Sequence, residues 1–250
     1  MRVCLVIPHH DHVPQFSTFL PRLAQFELPL FVTDDASPAL AYSQLQELLQ
    51  RTAPGTTLLR HEANQGKGSA VFTAFHAAWE AGFTHAVQID ADGQHDVDDL
   101  PLLLAEVRDN PCALVCGAPV FDETISLLRR RGRLITYALC RLETLSPAIK
   151  DAMCGFRAYP LAKVIPLMEK SRVSRRMGFD PEILVRACWA GMELRFVPVR
   201  VTYPKDGRSH FRYFADNVEI SWMHTRLICG MLVRLPGLAW QRLRGNIERQ

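Results

Sequence analysis

Ala86-Val-Gln-Ile-Asp-Ala-Asp-Gly-Gln-His95 begins as a short apolar run and turns abruptly into a polar string. The apolar part, 86–89, has the length and bulk of a buried strand. It stops at two aspartates one residue apart, and Gly93 permits a tight bend just after them. Outward from this stretch the same grammar repeats. Residues 3–7 form an apolar run stopped by Pro8, and 28–33 run into the pair Asp34-Asp35; 57–61 and 113–117 read as further strands. Between them, 16–26 places apolar residues at 16, 19, 20, 23 and 26, a helical spacing. The stretches 42–51, 66–81 and 100–108 also read as helices, the first closed by Thr-Ala-Pro-Gly and the second by Gly82. Strands alternating with helices make βαβ units, and these build a mostly parallel sheet. Ligands of such sheets bind beyond the carboxyl ends of the strands. Both acidic clusters, 34–35 and 90–92, fall at such ends, so the pattern predicts that they share one cleft.

The chain has 250 residues, 48% hydrophobic and 22% charged, enough for one sizeable α/β domain with a real core. Seven cysteines, at 4, 112, 116, 140, 154, 188 and 229, are an odd number with no Cys-x-x-Cys pair. They read as small buried hydrophobes in a reducing compartment, not as a disulfide or zinc framework. The opening MRVCLVIPHH reads as a first strand, too short in apolar residues for a signal-peptide core. The net charge of +3 is unevenly spread: from Arg195 onward there are ten Lys or Arg against four Asp or Glu, and the remainder is mildly acidic. A uniformly basic chain would suit nucleic acid; a basic tail rich in Leu, Trp and Met suits an anionic membrane surface instead. No stretch reaches the about 18 apolar residues of a membrane span. The nearest, 227–235, contains Arg234.

Asp90 and Asp92 can direct one oxygen each at a hard cation, or one can hold the cation and the other a sugar hydroxyl. Magnesium and manganese favour carboxylates and complete their shells with substrate phosphates. An acidic turn of this kind can also be a solvated cap. The polar string Asp-Ala-Asp-Gly-Gln-His directly after a buried strand favours the metal reading.

Taken together and in order, several pieces resemble family 2 glycosyltransferases of the GT-A fold, most closely the dolichyl-phosphate mannosyltransferase group and its bacterial relatives. They are Val-Ile-Pro (6–8), Thr-Asp-Asp-Ala-Ser (33–37), Asn-Gln-Gly-Lys-Gly (64–68), Asp-Ala-Asp-Gly-Gln-His (90–95), Asp-Ala-Met-Cys-Gly-Phe-Arg-Ala-Tyr (151–159) and Gly-Phe-Asp-Pro-Glu-Ile-Leu (178–184). A late Val-Pro-Val (197–199) precedes Tyr-Pro-Lys-Asp-Gly-Arg-Ser-His-Phe (203–211). The resemblance implies a Rossmann-like nucleotide-binding half and transfer of a sugar, with inversion, from a UDP- or GDP-sugar. The acceptor it implies is lipid-linked or lipid-anchored, in cell-envelope glycolipid or glycoconjugate synthesis. It places Pro8, Asp34, Asp35, Lys67, Asp90, Ala91 and Asp92 around the donor. Asp90, Asp92 and Gln94 would hold a divalent Mn2+ or Mg2+, which offsets the charge of the departing nucleoside diphosphate. Asp92 and Asp180 are the catalytic candidates: for a hydroxyl acceptor Asp180 would be the general base, and for a phosphate acceptor it would be structural. There are two departures: Ala36 where Gly is usual, a small change, and Cys154 where Ser is common. The Gln-x-x-Arg-Trp motif of the processive polymerases is absent from the sequence, which favours a single transfer.

On the acceptor side, Arg129, Arg130, Arg131 and Arg133 precede an apolar helix at 134–145. They are either a solvated face or an anion site. Arg133, Lys150, Arg157 and His210 are the acceptor candidates. Residues 1–210 are expected to form the transferase domain, and 211–250 an amphipathic helical segment broken at Pro236-Gly237. Trp222, Met223, Leu227, Met231 and Leu235 give that segment an apolar surface, which either packs on the domain or lies on anionic lipid; its Arg and Trp residues favour lipid. The expected location is the cytoplasmic face of a membrane, peripherally bound. Two rivals fit less well. A nucleotidyltransferase would carry a Gly-rich basic loop after the first strand, where Pro-His-His-Asp-His stands (8–12). An inactive nucleotide-sugar sensor or membrane scaffold has no need of an intact Asp90, Asp92 and Gln94 set.

Overall fold

The computed structural model describes residues 1–121, 125, 127–203 and 212–247, with backbone alone at 128, 129, 213 and 238–247. In chain order the elements are β1 (Val3–His9), α1 (Val13–Ala24), β2 (Leu30–Asp34), α2 (Ala39–Thr52), β3 (Thr57–Arg60), α3 (Lys67–Glu80), β4 (His85–Gln88), α4 (Leu100–Asp109), β5 (Leu114–Phe121), α5 (Leu127–Thr144), β6 (Arg157–Pro160), α6 (Leu161–Lys170), α7 (Phe179–Trp189), β7 (Leu194–Val201) and α8 (Tyr213–Ile247). The strands form one seven-stranded sheet ordered β3-β2-β1-β4-β6-β5-β7. All pairs are parallel except those of β6, which runs against β4 and β5. This is the mostly parallel sheet that the alternation predicted, flanked by helices.

Side chains alternate across each strand. Leu5 and Ile7 therefore join Phe16, Leu45, Leu103 and Phe156 on one face. Cys4 and Val6 join Phe75, Tyr159, Phe179 and Leu227 on the other. The first helix begins at Val13, three residues before the apolar spacing starts, because Pro14 suits a first turn whose N–H groups need no helical partner.

The C-terminal segment departs from expectation in two ways. α8 runs unbroken through Pro236. Pro236 has no N–H to donate to the Leu232 carbonyl, and both residues are exposed, where water can reach that oxygen. The apolar surface also divides. Met223, Leu227 and Met231 are buried against the domain, Gly230 lies against the Trp189 ring, and the Arg234 guanidinium stands 4.6 Å over that ring. Phe214, Val218, Trp222, Leu232, Val233 and Leu235 remain exposed. Among the described residues no helix is long and apolar enough to cross a membrane.

Candidate functional site

The site grows from strand ends on one edge of the sheet. β4 delivers Asp90 and Asp92 just beyond Gln88. Asp90 is backed by Gly155: a Cβ there would stand 2.6 Å from the Asp90 Cγ and collide with its oxygens. Asp92 accepts the Gln94 backbone N–H at 3.1 Å, which closes the turn. Ala91 faces the core between them. The turn is also stitched to the end of β7, since Asp96 N–H donates to the Arg200 carbonyl and Thr202 N–H to the Gln94 carbonyl.

Lys67 begins α3 between Gly66, whose φ of +96° suits glycine, and Gly68. Its ammonium donates to Asp90 Oδ2 at 2.8 Å and to Asp180 Oδ2 at 2.5 Å. Asp180 sits in the first turn of α7, where the helix dipole favours an anion. Gln88 bridges from below, with Nε2 3.3 Å from Asp90 Oδ1 and 3.4 Å from Asp180 Oδ1. Burial works against the charge on Lys67, but Asp180 and Asp90 outweigh it and hold the ammonium above the ordinary lysine range. Burial likewise disfavours the Asp90 anion, and Lys67 outweighs it, so that carboxyl is held below the usual range. His95, in the same turn, is pushed down to about 4 by burial and is therefore a neutral imidazole at pH 7; its Nδ1 has no hydrogen-bond partner among the described residues.

The pair Asp34-Asp35 lies at the end of β2 as expected, yet both side chains are spent on the protein's own loops. Asp35 accepts from His61 Nδ1 and from the Gln65 and Gly66 backbone N–H groups, bracing the turn that carries Lys67. Asp34 accepts from the Ser37 N–H and hydroxyl and faces His9 Nδ1 at 3.2 Å. Pro8 pairs with Thr33 beside them.

Of the acceptor candidates, Arg133 is half-buried in a bidentate pair with Asp151 (3.2 and 3.0 Å) and donates to the Tyr203 hydroxyl. Lys150 is exposed one residue away. Arg157, expected to reach the acceptor, is instead fully buried and donates to the Asp180 and Ala152 carbonyls, because β6 carries it beneath the cleft. His210 lies outside the described residues. A cleft of about 410 Å³ opens beside the acidic turn, lined in part by Gln94, His95, Phe121, Arg200 and Thr202. Gln88 and Gly155 went unread in the sequence. A polar residue inside an apolar strand was the visible signal for Gln88; for Gly155 it was a glycine inside one of the ordered pieces.

Among the described residues no three His, Cys, Asp or Glu side chains gather to hold a metal. Asp90 and Asp92 offer two carboxylates on one turn. That oxygen-only set fits a small hard cation whose shell is completed by phosphates and water, and it does not fit zinc.

A family model described as glycosyl transferase family 2 matches residues 6–164. The chain is 26% identical over 217 residues to an undecaprenyl-phosphate mannosyltransferase of Micrococcus luteus, covering 84% of this chain and 87% of that protein. It is 24% identical over 221 residues to a UDP-N-acetylglucosamine–dolichyl-phosphate N-acetylglucosaminyltransferase of Methanococcus voltae, covering 80% and 86%. Its fold is similar to that of a glucosyl-3-phosphoglycerate synthase from Mycobacterium tuberculosis, solved in complex with Mn2+, UDP and glucosyl-3-phosphoglycerate. That match has a TM-score of 0.65 at 15% identity and covers 93% of this chain and 79% of that one.

Proposed function

The chain belongs to glycosyl transferase family 2 and is a glycosyltransferase, and from this premise we propose that it moves one sugar from a nucleotide-diphospho-sugar to a lipid-linked phosphate. The observation that carries the reading is the gathering of Asp90, Asp92, Lys67 and Asp180 at the strand ends of one sheet edge. A diphosphate needs positive charge around it, and a leaving nucleotide needs that charge to persist as its own develops. Lys67, at a helix start, supplies an ammonium and nearby backbone N–H groups. Asp90 and Asp92, with the Gln94 side chain, are the residues to hold a divalent cation. When bound, that ion supplies charge neutralisation on the phosphates.

The relatives just named bear polyprenyl-phosphate acceptors in their names, and this supports a phosphate as the nucleophile here. A phosphate oxygen is already an anion and needs no base. Asp180 then serves to hold Lys67, while a hydroxyl acceptor would make it the proton acceptor. Arg133, the acceptor-side candidate, can trade its Asp151 partner for a phosphate. The exposed stripe of α8, with Phe214, Val218, Trp222 and Val233, supports peripheral seating on a membrane, and the basic excess from Arg195 onward supports an anionic one.

The test is direct. The protein is incubated with a panel of UDP- and GDP-sugars, manganese and undecaprenyl phosphate, dolichyl phosphate or the corresponding free polyprenols, and the glycosylated lipid is resolved by mass. Transfer to polyprenyl phosphate that stops when Asp180→Asn releases Lys67 supports the reading. Transfer only to hydroxyl acceptors would refute the phosphate and assign Asp180 the base role.

A further inference from the structure

Beneath α7 lies a second carboxylate that the chemistry above does not use. Glu182 is fully buried, two residues after Asp180. Its Oε1 accepts from Arg186 Nε at 2.8 Å and from the second Arg186 nitrogen at 2.6 Å. Its Oε2 accepts from the Ser174 backbone N–H at 2.8 Å and from Arg226 of α8 at 3.2 Å. Four donors from three places converge on one buried anion, and a buried charge so engaged fixes everything that holds it.

Two of those places belong to the segment 171–178 and to α8. The segment has other ties to α8: the Ser174 hydroxyl donates to Glu219 at 2.9 Å, and Arg226 also donates to the Arg172 carbonyl at 3.2 Å. Its opposite side lies on the turn that carries Lys67. The Arg175 carbonyl accepts the Ser69 N–H at 3.0 Å, and Arg176 grips Asn64 through two hydrogen bonds. Backbone meets backbone there. A Cβ on Gly68 would stand 2.7 Å from the Ser174 carbonyl, and one on Gly66 2.7 Å from that of Arg175. The Arg176 Cγ would stand 2.5 Å from a Cβ on Gly66 and the Phe179 Cβ 2.9 Å from one on Gly68, and a contact so close and made largely of backbone transmits displacement instead of absorbing it.

We propose that Glu182 is a positioning residue: through segment 171–178 it makes the seat of α8 set where Lys67 and Asp180 stand beside Asp90. Lys67 follows because its two neighbours are wedged against the segment. Asp180 follows because it shares the first turn of α7 with Glu182. The proposal deepens the membrane-facing reading of α8, since a helix pressed against lipid would then report its docking to the sugar-transfer site.

Amide hydrogen exchange on the full chain tests this without any substrate. Arg226→Met removes the tie from the α8 side. Exchange should quicken by about tenfold in peptides covering 171–178 and also 64–70, while β1 keeps its wild-type rate. Coupling is reciprocal, so Gly68→Ala, which pushes from the cleft side, should quicken 171–178 and the 219–227 stretch of α8. Arg226→Lys should return most of the protection. With polyprenyl phosphate and the nucleotide sugar that wild type uses, Glu182→Gln and Arg226→Met should lower kcat about tenfold at unchanged donor KM, well below their melting temperatures. A disturbance that ends at 171–178 in both Arg226→Met and Gly68→Ala, or an unchanged kcat, overturns the proposal. On phosphatidylcholine–phosphatidylglycerol vesicles, wild type should gain protection at 64–70, and Arg226→Met should gain it only in α8. Vesicle binding that leaves 64–70 unchanged in wild type also overturns the coupling. Failure to bind vesicles overturns the lipid-facing reading instead, and the exchange in solution then decides the role of Glu182.

Discussion

At the scale of single residues, the cleft depends on a hydrogen atom. Gly155 presents nothing but backbone to the Asp90 carboxylate, and a methyl group there would occupy the space of its oxygens. Gly155→Ala should therefore cost the fold only about 1–3 kcal/mol of overpacking. Displacing Asp90 by about an ångström should still cut turnover roughly a hundredfold. Calorimetry and steady-state kinetics on the same sample separate the two effects, and equal activity in the variant would show that Asp90 is not needed where it stands. Asp92 is a different case, since it is only partly buried and closes a turn through the Gln94 N–H. Asp92→Asn keeps that hydrogen bond and removes the charge. Its melting temperature should stay near wild type while activity falls about a hundredfold, and a chelator should do the same to wild type. Full activity in chelator would remove the metal from the account. The sequence read both aspartates because their spacing is local. It could not read Gly155 against Asp90, which are 65 positions apart in the chain and meet only because β6 enters the sheet beside β4.

Elements show where periodicity informs and where it stops. The strands that begin before residue 121 were legible from apolar runs and their stops, because β1, β2, β4 and the first half of β5 are continuous buried runs. β6 and β7 were not. β6 is only four residues long, and β7 carries an alternating exposed and buried pattern with two arginines, which reads as polar. For α8 the apolar residues were visible, yet their division between core and solvent was not, since both stripes have similar composition. The division makes a clean test. Leu227→Ala digs into the core and should destabilise by about 2–5 kcal/mol. Trp222→Ser with Val233→Ser changes the exposed stripe and should leave stability within about 0.5 kcal/mol. The double variant should lose co-sedimentation with anionic vesicles; Leu227→Ala, while folded, should keep it. Equal pelleting of the double variant and wild type would mean that the exposed stripe meets something other than lipid. Between α5 and α8 a buried Glu143 carboxylate meets His224 Nδ1 at 2.6 Å, so α8 is also locked on by a polar contact that no apolar pattern reveals.

For the molecule as a whole, the donor is the unknown that binding can settle. A ligand that binds only the folded state raises stability by RT ln(1 + [L]/Kd), about 2.7 kcal/mol at a hundred times Kd. A UDP- or GDP-sugar with manganese should therefore raise the melting temperature by several degrees, and the cognate base should exceed the other. Without manganese, or in Asp92→Asn, most of the rise should vanish. A rise that ignores the metal would place the nucleotide elsewhere. The two edges of the sheet carry unequal burdens in such experiments. The donor-side candidates and Asp180 gather on the edge where β1, β2 and β4 end and β6 begins. The other edge holds plain connections, among them the exposed turns at Gly55, Gly82 and Gly191. That makes the far edge the handle of the enzyme. A fluorophore, an affinity tag or a surface tether grafted between Gly191 and Met192 should leave transfer intact, whereas the same graft between Gln65 and Gly66 should abolish it, so the protein can be immobilised or watched at work without blocking its cleft.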